Sequence, residues 1–448
     1  MEVTVFRCAK YCAGVIRQVA LISVTVLLIS CGGGDGGLPQ SINLSATALS
    51  PSSVELSWSA DSTPGLIGYD LYRDGEAVEA THLSSTHYID RGLSADTRYC
   101  YKVYAIVFPL GAVSASNTAC ATTGAYSTSG WTFTDAPTGY APDFGISPSG
   151  AKLIAYLQSD GLHYGLSTDG PWTNELVDAN GGAPSLAIDS LGKAHVAYVN
   201  TSVGGVYHAS NSTGIWTTEA VNATGGGIST LAIDKNGALH IVFSDYNAAY
   251  DFYDYWYVTN LSGAWVKSHV FFGSSRVFQD LALAVDSTGT VHMAYATSDF
   301  TSCSLAYGFK KPGGDWDWSM SPIDNGTGCK VSLALDNLNM PHASYRKSMQ
   351  IIHARLNAGM WNKEVVDSLS WLGGDEVGMG IDGSDYLHMS YGDENGDLKY
   401  ATNRSGMWVY TYLDKVTSTN ILRMDSDGHA YILYSPDSTG ALRLAKSP

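Results

Sequence analysis

The stretch Asp189-Ser-Leu-Gly192-Lys-Ala-His195-Val-Ala-Tyr198 decides how the rest of this chain is read. Its offsets recur at Asp234/Gly237/His240/Phe243 and at Asp286/Gly289/His292/Tyr295. They recur again, with Asn339 or Asp385 in place of glycine, at Asp336/His342/Tyr345 and Asp382/His388/Tyr391. Two worn copies flank these five, Ser147/Gly150/Leu153/Tyr156 and Asp425/Gly428/Tyr431/Tyr434. Seven copies spaced 42 to 52 residues apart define a repeat protein, and a period of that size made of strands predicts a β-propeller.

Each repeat parses into four strands. The first ends at the aspartate, as in Leu186-Ala-Ile-Asp189, and a turn holding the glycine leads to the second, His195 to Val199. A third strand reads Val206-Tyr-His-Ala209, with counterparts at Leu162, Leu305 and Leu398. The fourth opens on a tryptophan, at Trp172, Trp216, Trp265, Trp316, Trp361 and Trp408, after repeats one to six. The seventh repeat ends at Leu442-Arg-Leu-Ala445 without a fourth strand, and one more tryptophan, Trp131, stands ahead of the first repeat. The N-terminal strand after Trp131 is therefore expected to complete the seventh blade, since closure removes the open sheet edges of a linear array. Asp and His flank the same turn in copy after copy, which makes them a fold device: the carboxylate accepts from turn amides or an imidazole. The tryptophan and tyrosine columns read likewise as blade packing.

Composition agrees with an all-β chain: among 448 residues there are 48 Gly and 28 Tyr. The formal net charge of -17 excludes nucleic acid as a partner, because a phosphate backbone demands a basic footprint. Residues 1–30 carry Arg7, Lys10 and Arg17 ahead of the apolar run Val19 to Ile29, which is too short to span a bilayer and reads as a signal peptide. Leu28-Ile29-Ser30-Cys31 resembles the lipobox of bacterial lipoproteins. That resemblance implies a diacylated Cys31 as lipid attachment site, a membrane anchor, and sorting to the outer membrane because Gly32 follows. Residues 31–37 are then a Gly-rich flexible tether.

Between 38 and 123 the pattern changes to alternating strands, with Val54, Leu56 and Trp58 on one face. Leu93-Ser-Ala-Asp-Thr97-Arg-Tyr99-Cys-Tyr101-Lys-Val103 resembles the F strand of a fibronectin type III domain, with Tyr99 at its corner-tyrosine position and Trp58 at its B-strand tryptophan. The resemblance implies a β-sandwich acting as a spacer, followed by the propeller over 126–448. Outside the leader, Cys100 with Cys120 and Cys303 with Cys329 leave two pairs for disulfides in an oxidising compartment.

The turn face of the repeats is nearly constant in length, and the opposite face varies, which marks it as the binding surface. The largest insertion, around Asp245, Tyr246, Tyr250 and Tyr253, interleaves rings and carboxylates as a sugar-binding surface requires. Arg276, Arg346, Trp371, Asp375, Glu376, Asp393 and Glu394 complete the candidates. Asp393-Glu-Asn-Gly-Asp397 offers oxygens suited to Ca²⁺, and turn chemistry accounts for it equally. In blade layout the propeller resembles the sialidase-like, BNR-type superfamily, which implies an arginine triad and Asp boxes. No arginine lies between 99 and 275, and Ser167-Thr-Asp-Gly-Pro-Trp172 is a shortened box, so sialidase chemistry is not expected. The leading expectation is a non-enzymatic envelope lipoprotein whose propeller binds a glycan or envelope protein, with no cofactor. The rivals are a glycoside hydrolase or polysaccharide lyase pairing Asp375 or Glu376 with Asp393, and a structural assembly protein.

Overall fold

A computed structural model describes residues 42–60, 64–78, 82–107, 111–223, 225–227, 229–247, 252–274, 277–298, 303–369 and 376–448. Among these the chain is all-β, without a helix. Two sheets at the N-terminus pack face to face. One joins Leu44–Ser50, Ser53–Trp58 and His87–Arg91; the other is built on Leu66–Arg73 and Arg98–Val107. Strand alternation fills their core with Val54, Leu56, Trp58, Tyr69, Leu71, Tyr101 and Val103. The Tyr99 hydroxyl accepts the Ser94 backbone N–H at 3.0 Å, pinning the chain where it enters its strand. Cys100 and Cys120 stand opposite one another in register and form a disulfide; Cys303 and Cys329 form a second.

Seven further sheets follow in chain order, each a sequential antiparallel array of four strands, with one added pairing in the fourth. Their first strands are Tyr140–Ile146, Gly181–Ile188, Ser229–Ile233, Val277–Val285, Ser332–Leu335, Val377–Ile381 and Asn420–Met424. Each lies against the first strand of the sheet before and after it, and Asn420–Met424 returns to Tyr140–Ile146, so the seven form a closed ring around an axis. This is the four-stranded layout of a β-propeller. The last sheet takes its fourth strand from the N-terminal side: Leu442–Lys446 pairs with Thr132–Ala136, Leu442 opposite Ala136 and Ala445 opposite Phe133. Trp131, at the head of that strand, packs edge-on against Tyr400 of the preceding sheet at 4.9 Å. Trp216 on Tyr164, Trp316 on Tyr257 and Trp361 on Tyr307 repeat this contact around the ring.

The repeated turn has one conformational demand that explains its sequence. The residue three after the Asp or Ser has positive φ in all seven copies: 82°, 79°, 85° and 86° at Gly150, Gly192, Gly237 and Gly289, 62° at Asn339 and Asp385, and 85° at Gly428. Glycine adopts that region freely, and Asn and Asp are the side chains that tolerate it best. Where glycine is replaced the side chain is also used. Asn339 accepts from the Ser287 backbone N–H and Asp385 from that of Asn337, each tying its turn to the turn of the preceding sheet. The leading aspartate staples the turn with one oxygen, Asp189 accepting from Leu191 and Lys193 N–H at 2.9 and 2.8 Å. Asp234, Asp286, Asp336, Asp382 and Asp425 do the same.

Its second oxygen faces the histidine, 3.3 Å from His292 Nε2 and 3.2 Å from His388 Nε2. That ring in turn meets the third strand: His292 Nδ1 lies 2.6 Å from the Tyr307 hydroxyl, and His342 Nδ1 lies 2.8 Å from His353 Nε2. The Asp–His pattern is thus a hydrogen-bonded row across the strands, and burial holds His195, His208, His240, His292 and His388 below the ordinary imidazole range. His342, also facing His353, falls to about 4.

A second row joins neighbouring sheets. The second-strand tyrosine donates to an acid at the end of the previous sheet: Tyr198 to Asp178 at 2.7 Å, Tyr345 to Asp324 and Tyr391 to Asp367 at 2.8 Å, Tyr434 to Asp414 at 2.6 Å. Buried hydroxyl–carboxylate pairs contribute about 1.5–3 kcal/mol each and cost as much when one partner is left alone. The tyrosine column is therefore more than packing.

Gly237 isolates the backbone requirement, because a Cβ there meets nothing within 4 Å. Gly237→Val is expected to lose about 1–2 kcal/mol from φ alone, while Gly237→Asn stays close to wild type. Equilibrium denaturation of the two variants checks this.

Candidate ligand-binding site

The closed ring leaves a cavity of about 760 Å³ along its axis, lined by all seven first strands. Small residues keep it open: Ala141, Ala183, Ser185, Ala282, Ser332, Ala334, Gly378 and Gly380 all face it. Against this background five charged residues stand out, Asp143, Asp280, Lys330, Glu376 and Arg423. A second, smaller space of about 440 Å³ lies at the turn end of the ring, bordered by Asp189, Asp234, Lys235 and Asp425.

The three acids are bound largely to backbone. Asp143 accepts the Phe144 and Leu186 amides, both at 2.8 Å, and pairs with Arg423 Nη2 at 3.1 Å. Asp280 accepts the Val331 amide at 2.9 Å, with Lys330 at 3.7 Å, and burial still pushes its carboxyl upward. Glu376 accepts the Asn420 amide at 3.0 Å. Apart from the bond of Asp143 to the adjacent Phe144, each of these contacts crosses from one sheet to the next, so the acids also stitch the ring. The two cations differ: the side chains of Lys330 and Arg423 keep 41% and 43% of their surface in solvent.

Of the residues singled out from sequence, Glu376 lies in this cavity. Asp245 lies at the loop end of the third sheet, directly opposite Asp254 on the neighbouring strand. Burial raises its carboxyl, with Lys267 opposing and Asp254 adding to the shift. His269 Nε2 stands 3.6 Å from Asp254 Oδ1, and Trp256 meets the His269 ring edge-on at 4.4 Å. The Lys267 ammonium sits 4.0 Å over Trp256 and donates to Asn222 at 3.0 Å. In this sheet the residues of the tyrosine–acid tie are replaced: Phe243 holds the tyrosine position and Asn222 the acid position. Tyr246 and Tyr253 are described in backbone only; Tyr250, Arg276, Trp371 and Asp375 lie outside the described residues, as does Cys31.

Two candidates are corrected. Arg346 is not on a surface: it is 1% exposed, its Nη2 donating to the Gly392 carbonyl at 3.1 Å inside the ring wall. Asp393 is buried in the turn Asp393–Asp397, which is the seat of the N-terminal sandwich. Asp397, fully buried, accepts from Ser50, Ser52 and Tyr126 at 3.1, 2.6 and 2.8 Å and pairs with Lys415 at 2.7 Å. Asn395 donates to Ser50 and Ser53, and Asp393 staples the turn through the Asn395 and Asp397 amides. In the segment that read as calcium-like from sequence, the Asp393 and Asp397 carboxylates are engaged by protein donors at this junction. The same burial keeps Asp393 out of the cavity that Glu376 lines, and Asp375 lies outside the described residues.

Sequence reading missed Arg423 and Lys330, although a signal was present. Two residues before each turn aspartate or serine the copies read Gly145, Ala187, Ala232, Ala284, Ala334 and Gly380, and then Arg423. A charge in a column of the smallest residues departs from the repeat, and Arg423 borders the cavity.

No family model matches the chain. Among curated proteins, an alpha-amylase of Niallia circulans is 47% identical over 64 residues, which is 14% of this chain and 5% of that protein. Chitinase A1 of the same organism is 40% identical over 99 residues, 22% of this chain and 14% of the enzyme. The chain thus spans a small fraction of these relatives. Among solved structures, a polysaccharide lyase, an ulvan lyase bound to -[GlcA(1-4)Rha3S]-, matches 69% of this chain and 95% of its own at 11% identity with a TM-score of 0.49. The Aleuria aurantia lectin, a six-bladed β-propeller, matches 62% of this chain and 97% of its own at 12% identity with a TM-score of 0.43. Likeness of this degree leaves the chemistry to be argued from the chain's own residues.

The Asp393 carboxyl is raised to about 6, chiefly by burial and then by Asp397. A carboxyl raised above its unfolded value of 3.8 holds its proton more tightly in the native state. Its contribution therefore favours folding below about pH 4 and weakens as pH rises through 6. Asp393→Asn is expected to be more stable than wild type at pH 7 by about 1–2 kcal/mol, with the difference closing by pH 4. Denaturation of both proteins across that range measures it.

Proposed function

We infer that the chain is an envelope lipoprotein anchored through Cys31 that presents a glycan-binding propeller on a fibronectin type III spacer. On this reading the seven sheets are the seven blades of one propeller, closed by Thr132–Ala136. The observation that carries the binding function is the axial cavity of about 760 Å³, open, lined by every first strand and carrying five charged residues on its wall. Pockets of this size take oligosaccharide-sized ligands, and side-chain charges on a rigid strand scaffold are well placed to orient one.

The spacer reading is supported by the corner bond of Tyr99 to Ser94, the edge-on packing of Trp58 on Tyr69 and the inter-sheet core. It is supported also by position. The Ser50–Ser53 turn is held at the sixth sheet, and Ile42, where the tether arrives, lies at the other end of the strand that leads to that turn. The matched stretches of 64 and 99 residues have the length of one such sandwich, which fits a module shared with the alpha-amylase and the chitinase.

A glycan array probed with the purified protein is expected to show selective binding, lost on Glu376→Ala together with Arg423→Ala. Absence of any glycan signal, with an envelope pulldown that returns a protein partner instead, overturns the glycan reading. In fractionated cells Cys31→Ser should move the protein from membrane to soluble fractions; continued anchoring refutes the lipobox.

One observation favours a second reading, that of a glycoside hydrolase or polysaccharide lyase: Asp245 facing Asp254 across the strand pair with His269 beside it. Paired carboxylates of this kind suit acid–base cleavage. Release of reducing ends or of unsaturated sugars from envelope polysaccharide, abolished in Asp254→Asn, would replace the binding-only function.

A further inference from the structure

The seven-fold repeat supplies its own control for what the fold requires of its first strands. At the position of Arg423, the six other copies place Gly145, Ala187, Ala232, Ala284, Ala334 and Gly380, and their strands pair as well as the seventh does. At the position of Asp143, four residues before the turn, the other copies read Ser185, Thr230, Ala282, Ser332, Gly378 and Ile421. The Arg423–Asp143 pair is thus an addition to the repeat and not one of its rules. A partly exposed ion pair contributes only about 0–1 kcal/mol, so stability gives little reason for the addition.

What the cavity presents to a ligand follows from how its hydrogen-bonding capacity is already used. Asp143 accepts two backbone amides and Arg423; Asp280 accepts the Val331 amide and faces Lys330; Glu376 accepts the Asn420 amide. Those carboxylates are turned onto the wall. Arg423 spends two contacts, on Asp143 and on the Leu422 carbonyl, out of a guanidinium that carries five N–H donors. Lys330 has one ion contact among the described residues, at 3.7 Å, and none to a carbonyl. Both cations are more than two-fifths exposed and line the one cavity from the fifth and seventh sheets. The charged groups of the axis left with spare donors among the described residues are therefore these two cations, against a chain whose net charge is -17 and whose wider field repels anions.

We propose that the axial cavity recognises an acidic carbohydrate, an oligosaccharide bearing carboxylate or sulfate groups, and that Arg423 and Lys330 are the residues that bind its anionic groups. This rests on the glycan-binding reading above and narrows it to a substrate class. The guanidinium suits a planar or tetrahedral oxyanion through paired N–H donors, while the ammonium acts as a point charge.

The test is calorimetric titration of the purified full-length protein with three size-matched probes: an oligogalacturonate, a sulfated dextran oligosaccharide and neutral maltohexaose. At least one acidic probe is expected to bind about tenfold or more tightly than the neutral one, the margin of a charge-assisted hydrogen bond. That preference should shrink between 20 and 300 mM salt (about a fourfold fall in screening length). Arg423→Met and Lys330→Met should each weaken the acidic probe about tenfold without lowering the melting temperature, and Arg423→Lys should retain part of the affinity. Should Arg423→Met fail to fold, Lys330→Met, at the start of its strand, decides alone. Preference for the carboxylated or the sulfated probe identifies the source of the charge. Equal binding of the neutral probe, or acidic binding untouched by both variants, overturns this proposal while leaving glycan binding intact. Binding of none of the three, with an array that is also blank, overturns both.

Discussion

The pairing of Leu442–Lys446 with Thr132–Ala136 is the constraint on which the larger part of the molecule depends. Each four-stranded sheet buries its faces only against the sheets beside it, so an open row would end in two bare faces. Joining a strand from near the start of the ring to three from its end gives every sheet two neighbours. It also converts seven weak local preferences into one cooperative object. Trp131, Trp216, Trp265, Trp316 and Trp361, each lying on an aromatic side chain of the sheet before it, and the tyrosine–acid bonds at the opposite end act across the same kind of boundary. Stability is therefore concentrated between sheets, where closure makes it count.

This division of labour frees the axis. Because the turn aspartates, the histidine rows and the inter-sheet ties hold the ring, the first strands need only be small enough to converge. Six of the seven copies comply at the column of Arg423 with Ala or Gly. Charges on that wall are then available for recognition at little cost to the fold. The third sheet shows the same economy elsewhere: Phe243 and Asn222 give up the usual tie, and Asp245, Asp254, Lys267 and His269 occupy the vacated boundary.

The junction between sandwich and ring has another logic. A sixth-sheet turn that repeats the aspartate staple, Asp393 with the Asn395 and Asp397 amides, offers Asp397 to three hydroxyls and a lysine. Fully buried carboxylates are costly unless their lone pairs are met by donors. Asp397 has four, and this is what makes the contact specific. Asp393 beside it, its carboxyl raised by burial and by that neighbour, bears the electrostatic strain.

Periodicity alone carried the architecture: the strand order, the turn with its Gly, Asn or Asp, the shared last sheet and both cysteine pairs follow from repeat offsets and parity. They do so because a backbone conformation with positive φ or a strand face of period two leaves a local mark in each copy. The loop-face site was only partly legible. Glu376 proved to line the cavity, but Arg346 and Asp393 read as surface charges and are buried, since burial depends on which sheet or sandwich arrives from far along the chain. Arg423 was visible as a break in an Ala/Gly column, yet its meaning required the ring, which alone brings the fifth and seventh sheets around one axis. Local chemistry is written in order along the sequence; convergence of side chains from distant repeats belongs to closure, and only the tertiary structure decides it.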